Sequence, residues 1–250
     1  MTSGQSQGDR LIEFITETGS TSADLAARLR GGAYPIEGSW LVADRQTAGK
    51  GRQGRAWHDG AGNFMGSTIV QHRSGDPEPA TLALVAGLAV REAVAAQLPA
   101  DTGLILKWPN DLLVDGAKLA GILLERVGDA IVIGIGVNLV AAPVLPDRAT
   151  VSLAALGKSP PRDAFATNLA AALAMELDRW RSYGVAPIVA RWLTMAHPLG
   201  TPLLVGEPGE APTEGLFAGL TAAGALQLRR SDGTIDIINA GEVRLAGTAG

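Results

Sequence analysis

The run LILKWPNDLLVDGAKLAGILLERVGDAIVIGIGVNL, residues 104–139, carries most of the information about the architecture of this chain. Four apolar segments follow one another in it: Leu104–Lys107, Leu112–Val114, Leu119–Glu125 and Ala130–Leu139. Asp115-Gly116, between the second and third segments, is a typical dipeptide of a tight hairpin turn. Short apolar segments separated by turn residues are typical of antiparallel strands, so the run predicts a meander of four strands.

Helical patterns lie on both sides of this meander. Residues 80–98 are rich in alanine and carry apolar residues at helical spacing, and residues 163–197 repeat the pattern with interruptions at Gly184 and Pro187. Nearer the amino terminus, a capped helix is predicted from Thr21 to the Gly31-Gly32 pair. Strand-like runs at residues 39–43 and 63–71 enclose a glycine-rich charged loop at residues 44–62.

The last fifty residues have a different pattern. Five short β-like segments follow Pro198, separated by turn residues such as Pro208-Gly209 and Asp232-Gly233, and this spacing predicts a small barrel. We therefore expect an α+β domain at residues 1–198, whose mixed sheet is flanked by helices, and a small all-β domain at residues 199–250.

The composition excludes several classes of function. With 250 residues, 46% of them hydrophobic, the chain can bury a substantial core. The absence of cysteine and the scatter of three histidines argue against disulfide, thiolate and zinc chemistry, and a net charge of −4 argues against a protein that coats nucleic acid. The first residues do not resemble a signal peptide, and no apolar run approaches ~18 residues, so we expect a cytoplasmic protein without membrane contact.

A basic loop stands out in this acidic protein. Asp44–Trp57 reads DRQTAGKGRQGRAW and places four cations and three glycines within eleven residues. Glycine allows backbone amides to approach a phosphate closely, so the loop is interpreted as an anion cradle. Its glycines also satisfy the pattern of a dinucleotide site, but no helix is predicted to open at the third glycine, which disfavours that function. A solvated basic loop is the remaining alternative.

Two further patterns indicate a binding site in the meander. The hairpin turn brings Asp111 and Lys118 together across neighbouring strands, either as an ordinary surface pair or as the charged centre of a site. Gly121 favours a site, since a ligand can lie against a strand backbone that lacks a side chain. Gly134 and Gly136 lie on one face of their strand and leave a groove beside Asn138, although core packing would explain these glycines equally well.

Four motifs together resemble the biotin protein ligases, from about Glu17 to Leu245. They are Gly-Lys-Gly-Arg-Gln-Gly-Arg-Ala-Trp at residues 49–57, Lys-Trp-Pro-Asn-Asp at 107–111, Lys-Leu-Ala-Gly-Ile-Leu-Leu-Glu at 118–125 and Gly-Ile-Gly-Val-Asn at 134–138. The resemblance implies a mixed sheet related to class II aminoacyl-tRNA synthetases, with a carboxyl-terminal SH3-like barrel. Some members carry a DNA-binding helix-turn-helix, but too few residues precede Thr21 for one, so the ligase-only form without a DNA partner is expected.

The resemblance also implies the reaction and its participants. ATP, accompanied by Mg²⁺, would activate biotin to biotinyl-5'-AMP, and the biotinyl group would pass to a lysine of a biotin carboxyl carrier protein or the carrier domain of a biotin-dependent carboxylase. No residue is assigned as a metal ligand, and a homodimer is left open. The alternatives are a lipoate or octanoate ligase or transferase on a related fold, and a non-catalytic biotin sensor.

Residue roles follow from the matched motifs. Catalysis is expected from Lys118, which would meet the biotin carboxylate and the α-phosphate, together with Arg52 and Asp111. Substrates would be bound by Ser20, Thr21, Ser22, Gln46, Gly49, Lys50, Gly51, Arg52, Trp57, Lys118, Gly121 and Asn138. The chain departs from the family pattern at Ser22, where asparagine is usual, and at Lys50, where arginine is usual. Lysine keeps the charge at that position but loses the bidentate geometry of arginine toward phosphate.

Overall fold

A computed structural model describes residues 11–33, 35–157, 159–206 and 211–246. The polar tail before residue 11 and the predicted Pro208-Gly209 turn lie outside the described residues. The strands are β1 (Ile12–Thr18), β2 (Trp40–Gln46), β3 (Phe64–Gln71), β4 (Leu104–Lys107), β5 (Asp111–Val114), β6 (Ala117–Val127), β7 (Ala130–Val137), β8 (Pro202–Gly206), β9 (Thr213–Leu220), β10 (Leu226–Arg229), β11 (Ile235–Ile238) and β12 (Glu242–Leu245). The α-helices are α1 (Thr21–Arg30), α2 (Leu82–Ala95), α3 (Arg162–Tyr183) and α4 (Val185–Thr194).

The strands form two sheets. A seven-stranded mixed sheet has the order β1-β2-β3-β7-β6-β5-β4, in which only the β1–β2 pair is parallel. A five-stranded antiparallel sheet near the carboxyl terminus has the order β11-β10-β9-β8-β12. The predicted meander is confirmed as β4 to β7, and the predicted fold class, a mixed sheet with helices followed by a small β-structure, is confirmed as well.

The helices cover the two faces of the mixed sheet unequally. On one face α2 and α3 pack over the main core, to which β7 contributes Ile131, Ile133, Ile135 and Val137. On the other face the short helix α1 packs on a smaller cluster that includes Leu25 and Val132. Because α1 covers only part of that face, Gly134 and Gly136, which share the face with Val132, lie against Ser22 at the start of α1 and against Trp57.

Three local details differ from the sequence predictions. Strand β1 was not predicted, because Phe14 and Ile15 interrupt the alternation of apolar and polar residues in its sequence IEFITET, and none of its residues is buried. Pro187 does not interrupt a helix; it lies in the first turn of α4, where a missing backbone N–H has no intrahelical partner to lose. The cap of α1 is Ser20, whose Oγ accepts a hydrogen bond from the Ala23 amide at 3.4 Å, so Thr21 already belongs to the helix.

The carboxyl-terminal sheet packs directly against the rest of the protein. Phe217, Leu226 and Val243 belong to the same buried cluster as the residues under α2 and α3. The indole nitrogen of Trp108 donates to the Gly224 carbonyl at 3.0 Å, which ties the β4–β5 connection to this sheet. No helix in the described part of the chain is both long and apolar enough to span a bilayer.

Candidate active site

One cavity of about 280 Å³ lies on the glycine-bearing face of the mixed sheet. Its walls come from the start of α1, the basic loop, the β5–β6 hairpin, the segment after β7, and Glu242 and Val243 of β12. Elements from both sheets therefore enclose a single site.

Glycines shape the floor of this cavity. A Cβ atom added at Gly134 would meet Ser22 Oγ, and one added at Gly136 would overlap the indole of Trp57. One added at Gly121 would lie 3.1 Å from both Lys118 Nζ and Trp57 Cζ3. Gly134 and Gly136 both line the cavity, as the groove interpretation predicts, and the side chains of Ser22 and Trp57 lie against them.

Trp57 carries an unsatisfied polar group. Its Nε1 is buried and has no hydrogen-bond partner among the described residues, while Lys118 Nζ lies 5.8 Å from the centre of the ring. A buried donor without an acceptor is costly, so this N–H can bind an acceptor atom of a ligand in the cavity.

Hydroxyl groups line one end of the cavity. Thr21 donates from its backbone N and its Oγ1 to Gln46 Oε1, at 2.7 and 2.9 Å, and Ser67 Oγ lies 2.7 Å from Thr21 Oγ1 and 2.9 Å from Ser22 Oγ. All four side chains are buried. Hydroxyls both donate and accept, so this end suits a small neutral head group with adjacent N–H and C=O groups, such as a urea.

Charged side chains form the centre of the site. Asp111 accepts from Lys118 Nζ at 2.6 Å and pairs with Lys107 Nζ at 3.1 Å. Burial of Asp111 opposes its ionisation, but the charges and hydrogen bonds of the two lysines outweigh burial and lower the pKa of this carboxyl to about 2. Asp111 is therefore an anion at neutral pH that holds two ammonium groups in place.

The basic loop folds back on itself over the cavity. Gly51 N donates to the Arg55 carbonyl at 2.7 Å and Trp57 N to the Gly49 carbonyl at 2.9 Å, with a 3-10 turn, Arg52–Gly54, at the tip. A three-residue turn in place of a helix rules out the dinucleotide-site geometry. The hairpin contacts of the loop and its place in the cavity wall favour a binding role over the solvated-loop alternative.

Arginines at the loop tip contact distant parts of the chain. Arg52 donates to Asn110 Oδ1 at 3.4 Å and to the Gly241 carbonyl at 3.3 Å, while Arg55 Nη1 lies 2.8 Å from Glu242 Oε1. The tip of the loop is thus held between the β4–β5 connection and the start of β12.

The cavity is positively charged although the protein is acidic. Six cationic side chains line it against three carboxylates: Lys50, Arg52, Arg55, Lys107, Lys118 and Arg148, against Asp111, Asp147 and Glu242. Such an excess attracts a polyanion. Among the described residues, no group of three or more His, Cys, Asp and Glu side chains is arranged to hold a metal ion. A Mg²⁺ ion would therefore fit here as a companion of ligand phosphates, with few ligands from the protein.

The structure brings nearly all of the sequence-predicted site residues to this cavity. The exception is Gly49, which is buried behind the wall: a Cβ atom there would lie 3.0 Å from Gln46 Nε2 and from the Trp57 carbonyl oxygen. Sequence reasoning assigned no site role to Ser67, Lys107, Arg148 or Glu242. Lys107 begins one of the quoted motifs, whereas the other three stand in segments with no chemical pattern of their own.

Comparison with known proteins adds independent information. The model of the biotin/lipoate A/B protein ligase family matches residues 20–138, and that of the biotin protein ligase C terminal domain matches residues 205–245. The chain is 37% identical to biotin--[acetyl-CoA-carboxylase] ligase of Paracoccus denitrificans over 249 residues, covering 94% of this chain and 100% of the relative. It is 36% identical to the enzyme of the same name from Mycobacterium tuberculosis, covering 96% and 91% of the two chains.

A solved structure shares the fold. The biotin protein ligase from Aquifex aeolicus in complex with biotin and ATP superposes with a TM-score of 0.80 at 27% identity, covering 94% of this chain and 98% of that one. The likeness thus includes both sheets.

Proposed function

Since this chain belongs to the biotin protein ligase family, we propose that it activates biotin with ATP and transfers the biotinyl group to a lysine of a biotin carboxyl carrier protein. The observation that carries the proposal is the order in which different environments follow one another within one cavity. A neutral hydroxyl end, a flat groove and a lysine–aspartate centre lie beside an arginine-bearing loop. A bicyclic urea with a carboxylate tail, followed by a triphosphate, matches that arrangement.

The first chemical step joins two anions. An oxygen of the biotin carboxylate attacks the α-phosphorus of ATP, the new O–P bond forms, and the bond to the pyrophosphate oxygen breaks. Lys118 and Arg52 would offset the repulsion and stabilise charge on the phosphoryl oxygens. Mg²⁺ bound to the polyphosphate would supply further positive charge. Electrostatic stabilisation and positioning would thus provide most of the rate enhancement.

The proposal assigns biotin to the hydroxyl end. Ser22 and Ser67 lie over Gly134 and would hydrogen-bond the ureido ring, while Gln46 fixes Thr21 behind them. Ser22 occupies the position at which the family usually has asparagine, and its hydrogen bond to Ser67 gives this chain a pair of hydroxyls there. The rings would lie on the glycine floor, with the carboxylate reaching Lys118.

In the second step the amine of the carrier lysine attacks the acyl carbon, and AMP leaves. The mixed anhydride is sensitive to water, so closure of the basic loop over the cavity would protect it. With a pKa of about 2, Asp111 is a poor acceptor for the amine proton. We therefore assign Asp111 to positioning Lys118 and Lys107. Loss of this role impairs the first step, whereas loss of a base for the carrier amine would impair only the second.

Pyrophosphate exchange into ATP isolates the first step. We expect exchange with the wild-type protein in the presence of biotin and not of lipoate, octanoate or no acid. Asp111→Asn should lower this exchange by about tenfold or more, since the two lysines lose a charged partner. Exposed Asp101→Asn is the matched control. If Asp111→Asn keeps full exchange and loses only transfer to the carrier, the positioning role is contradicted and a role as a base is favoured. Exchange that depends on lipoate or octanoate would favour that alternative. No exchange with any of the acids would favour a sensor.

The remaining features of the proposal concern the whole protein. We place the boundary between a catalytic domain and a carboxyl-terminal domain at residues 198 and 199, just before β8. The carrier would be a subunit or domain of acetyl-CoA carboxylase, as the names of the relatives indicate. Action in the cytoplasm, without DNA or membrane, stays a prediction from the sequence.

A further inference from the structure

Arg148 belongs to none of the motifs that point to the reaction, yet its side chain lines the cavity. It lies in the segment of residues 139–150, which leaves the end of β7 and returns beside Lys118. The Arg148 side chain is 26% exposed, so it borders the cavity and remains accessible to a ligand.

The backbone next to Arg148 is fixed to the reaction centre. Lys118 N donates to the Ala149 carbonyl at 2.9 Å, and Val151 N donates to the Lys118 carbonyl at 3.0 Å. The side-chain amide of Asn138 bridges the same two strands, donating to the Val151 carbonyl at 3.1 Å and to the Lys118 carbonyl at 3.4 Å. Arg148 is therefore held one residue away from a segment that pairs with Lys118.

The opposite end of this segment is also anchored. Asn63, which is buried, accepts from the Val140 and Ala141 amides at 2.9 and 3.1 Å and donates to the Ala141 carbonyl at 2.7 Å. Thr150 Oγ1 donates to the Pro143 carbonyl and closes the segment on itself. Fixed ends reduce the conformational freedom lost when the arginine binds a ligand.

The ion pair that Arg148 forms contributes too little to stability to explain its side chain as a structural one. Its ion-pair partner is the adjacent Asp147, whose side chain is 55% exposed, and such a pair adds little to stability. The hydrogen bond with Asp147 raises the pKa of Arg148, and the carboxylates of Asp111 and Glu242 act in the same direction. The guanidinium group thus lies within electrostatic reach of the reaction centre and of the β12 corner that holds Arg55.

The residues on one face of β7, and Asn138 just after it, show in which order the parts of the site follow one another. The hydroxyl pair lies over Gly134, Trp57 crosses Gly136, and Asn138 fixes the segment that carries Arg148. Successive residues on one strand face are about 6.6 Å apart, so Arg148 belongs to the end of the site farthest from the hydroxyls. A planar guanidinium group with paired donors is the side chain best suited to bind phosphate oxygens.

We propose that Arg148 is a further phosphate-binding residue, which holds the pyrophosphate end of ATP. The inference rests on the proposed function, because it assigns a residue to the leaving group of that reaction. In the empty site Asp147 would occupy the donors of Arg148, and the incoming phosphate would replace this carboxylate.

The test separates nucleotide binding from folding and from biotin binding. In biotin-dependent pyrophosphate exchange, we expect Arg148→Gln to raise KM for ATP about tenfold, with a smaller change in kcat. Arg148→Lys should recover part of this loss, since it restores the charge without the paired donors. Biotin affinity measured without ATP should stay at the wild-type value, and the matched surface variant Arg230→Gln should behave as the wild type throughout.

A second measurement does not depend on catalysis. Titration calorimetry with inorganic pyrophosphate should show that Arg148→Gln binds pyrophosphate about tenfold more weakly than the wild-type protein. The affinity of the wild type should also depend more strongly on the salt concentration. Equal pyrophosphate affinity in the two proteins, or equal KM for ATP, would overturn the assignment, as would a parallel loss of biotin affinity. Absence of exchange in the wild type with any acid would instead count against the proposed function and leave the pyrophosphate titration to decide on Arg148.

Discussion

His197 is a half-buried histidine that the proposed reaction does not use. Its Nε2 has no hydrogen-bond partner among the described residues, and burial, aided by the charge of Lys107, lowers its pKa to about 4. In the unfolded chain this histidine takes up a proton as the pH falls below about 6.5, whereas in the folded protein it stays neutral down to about pH 4. The contribution of His197 to stability is therefore unchanged above pH 6.5 and becomes increasingly unfavourable from pH 6.5 to 4.

This linkage predicts a measurable change in folding. Between pH 7.5 and 5, His197 should lower the free energy of unfolding by on the order of 2 kcal/mol. Urea denaturation of the wild type and of His197→Gln at both pH values measures it, and the variant should lose less stability at pH 5. The titration of Asp111 lies below this range, so it does not interfere. The same pH dependence in both proteins would contradict the prediction.

Site residues could be predicted from the sequence where a short local structure brings them together. Asp111 and Lys118 could be placed near each other because one hairpin turn separates them. The strand register pairs Asp111 with Gly121 and Lys118 with Leu113, so their 2.6 Å contact is diagonal. Ser67 and Arg148 could not be found, since their neighbours in the cavity come from other elements. Only the three-dimensional pairing of β3 with β7, and of residues 149–151 with Lys118, brings them to the site.

At the scale of elements, one buried carboxylate joins two helices. Glu176 of α3 is fully buried and accepts from Arg179 at 2.5 Å, and from Arg191 of α4 at 2.6 Å. Glu176→Ala should lower the free energy of unfolding by about 2 to 3 kcal/mol, because two arginines lose their partner and a cavity forms. Arg179→Ala should cost less than about 1 kcal/mol, since this arginine is partly exposed and Arg191 still pairs with the glutamate.

Urea denaturation of the two variants tests this asymmetry, and biotin-dependent exchange at 25 °C serves as the control for an intact site. Equal losses of stability would show that the pair with Arg179 accounts for the whole effect of Glu176, and that the contact with Arg191 of α4 adds nothing to stability.

Elements were predicted from the sequence wherever one local pattern dominates. The strands of the meander and helices α2 and α3 have clear periodicity, and the structure places them within a few residues of the predicted bounds. Strand β1 carries no such pattern, because the adjacent Phe14 and Ile15 break its alternation and none of its residues is buried. Its parallel pairing with β2 is a long-range contact that no local signal specifies.

For the whole molecule, the most consequential contact is the one between the basic loop and the carboxyl-terminal sheet. Arg55 and Glu242 are 187 residues apart in the chain, yet their side chains lie 2.8 Å from each other at the rim of the cavity. The sequence predicts a separate small β-structure, but not that it completes the site. We expect this pair to restrain any opening of the loop.

A partly exposed ion pair contributes about 0.2 to 1 kcal/mol, which corresponds to roughly a one-and-a-half- to fivefold change in the population of an open loop. Loss of the carboxylate in Glu242→Gln should therefore increase trypsin cleavage after Lys50, Arg52 and Arg55 by up to about fivefold. Biotin with ATP should slow this cleavage in the wild type and to a smaller extent in the variant. Exposed Glu214→Gln in β9 of the same sheet removes an equal charge without touching the loop, so its cleavage should match the wild type. If Glu242→Gln is cut no faster than this control, the loop is held by its own hairpin contacts, and the carboxyl-terminal sheet serves as a wall of the site without restraining the loop.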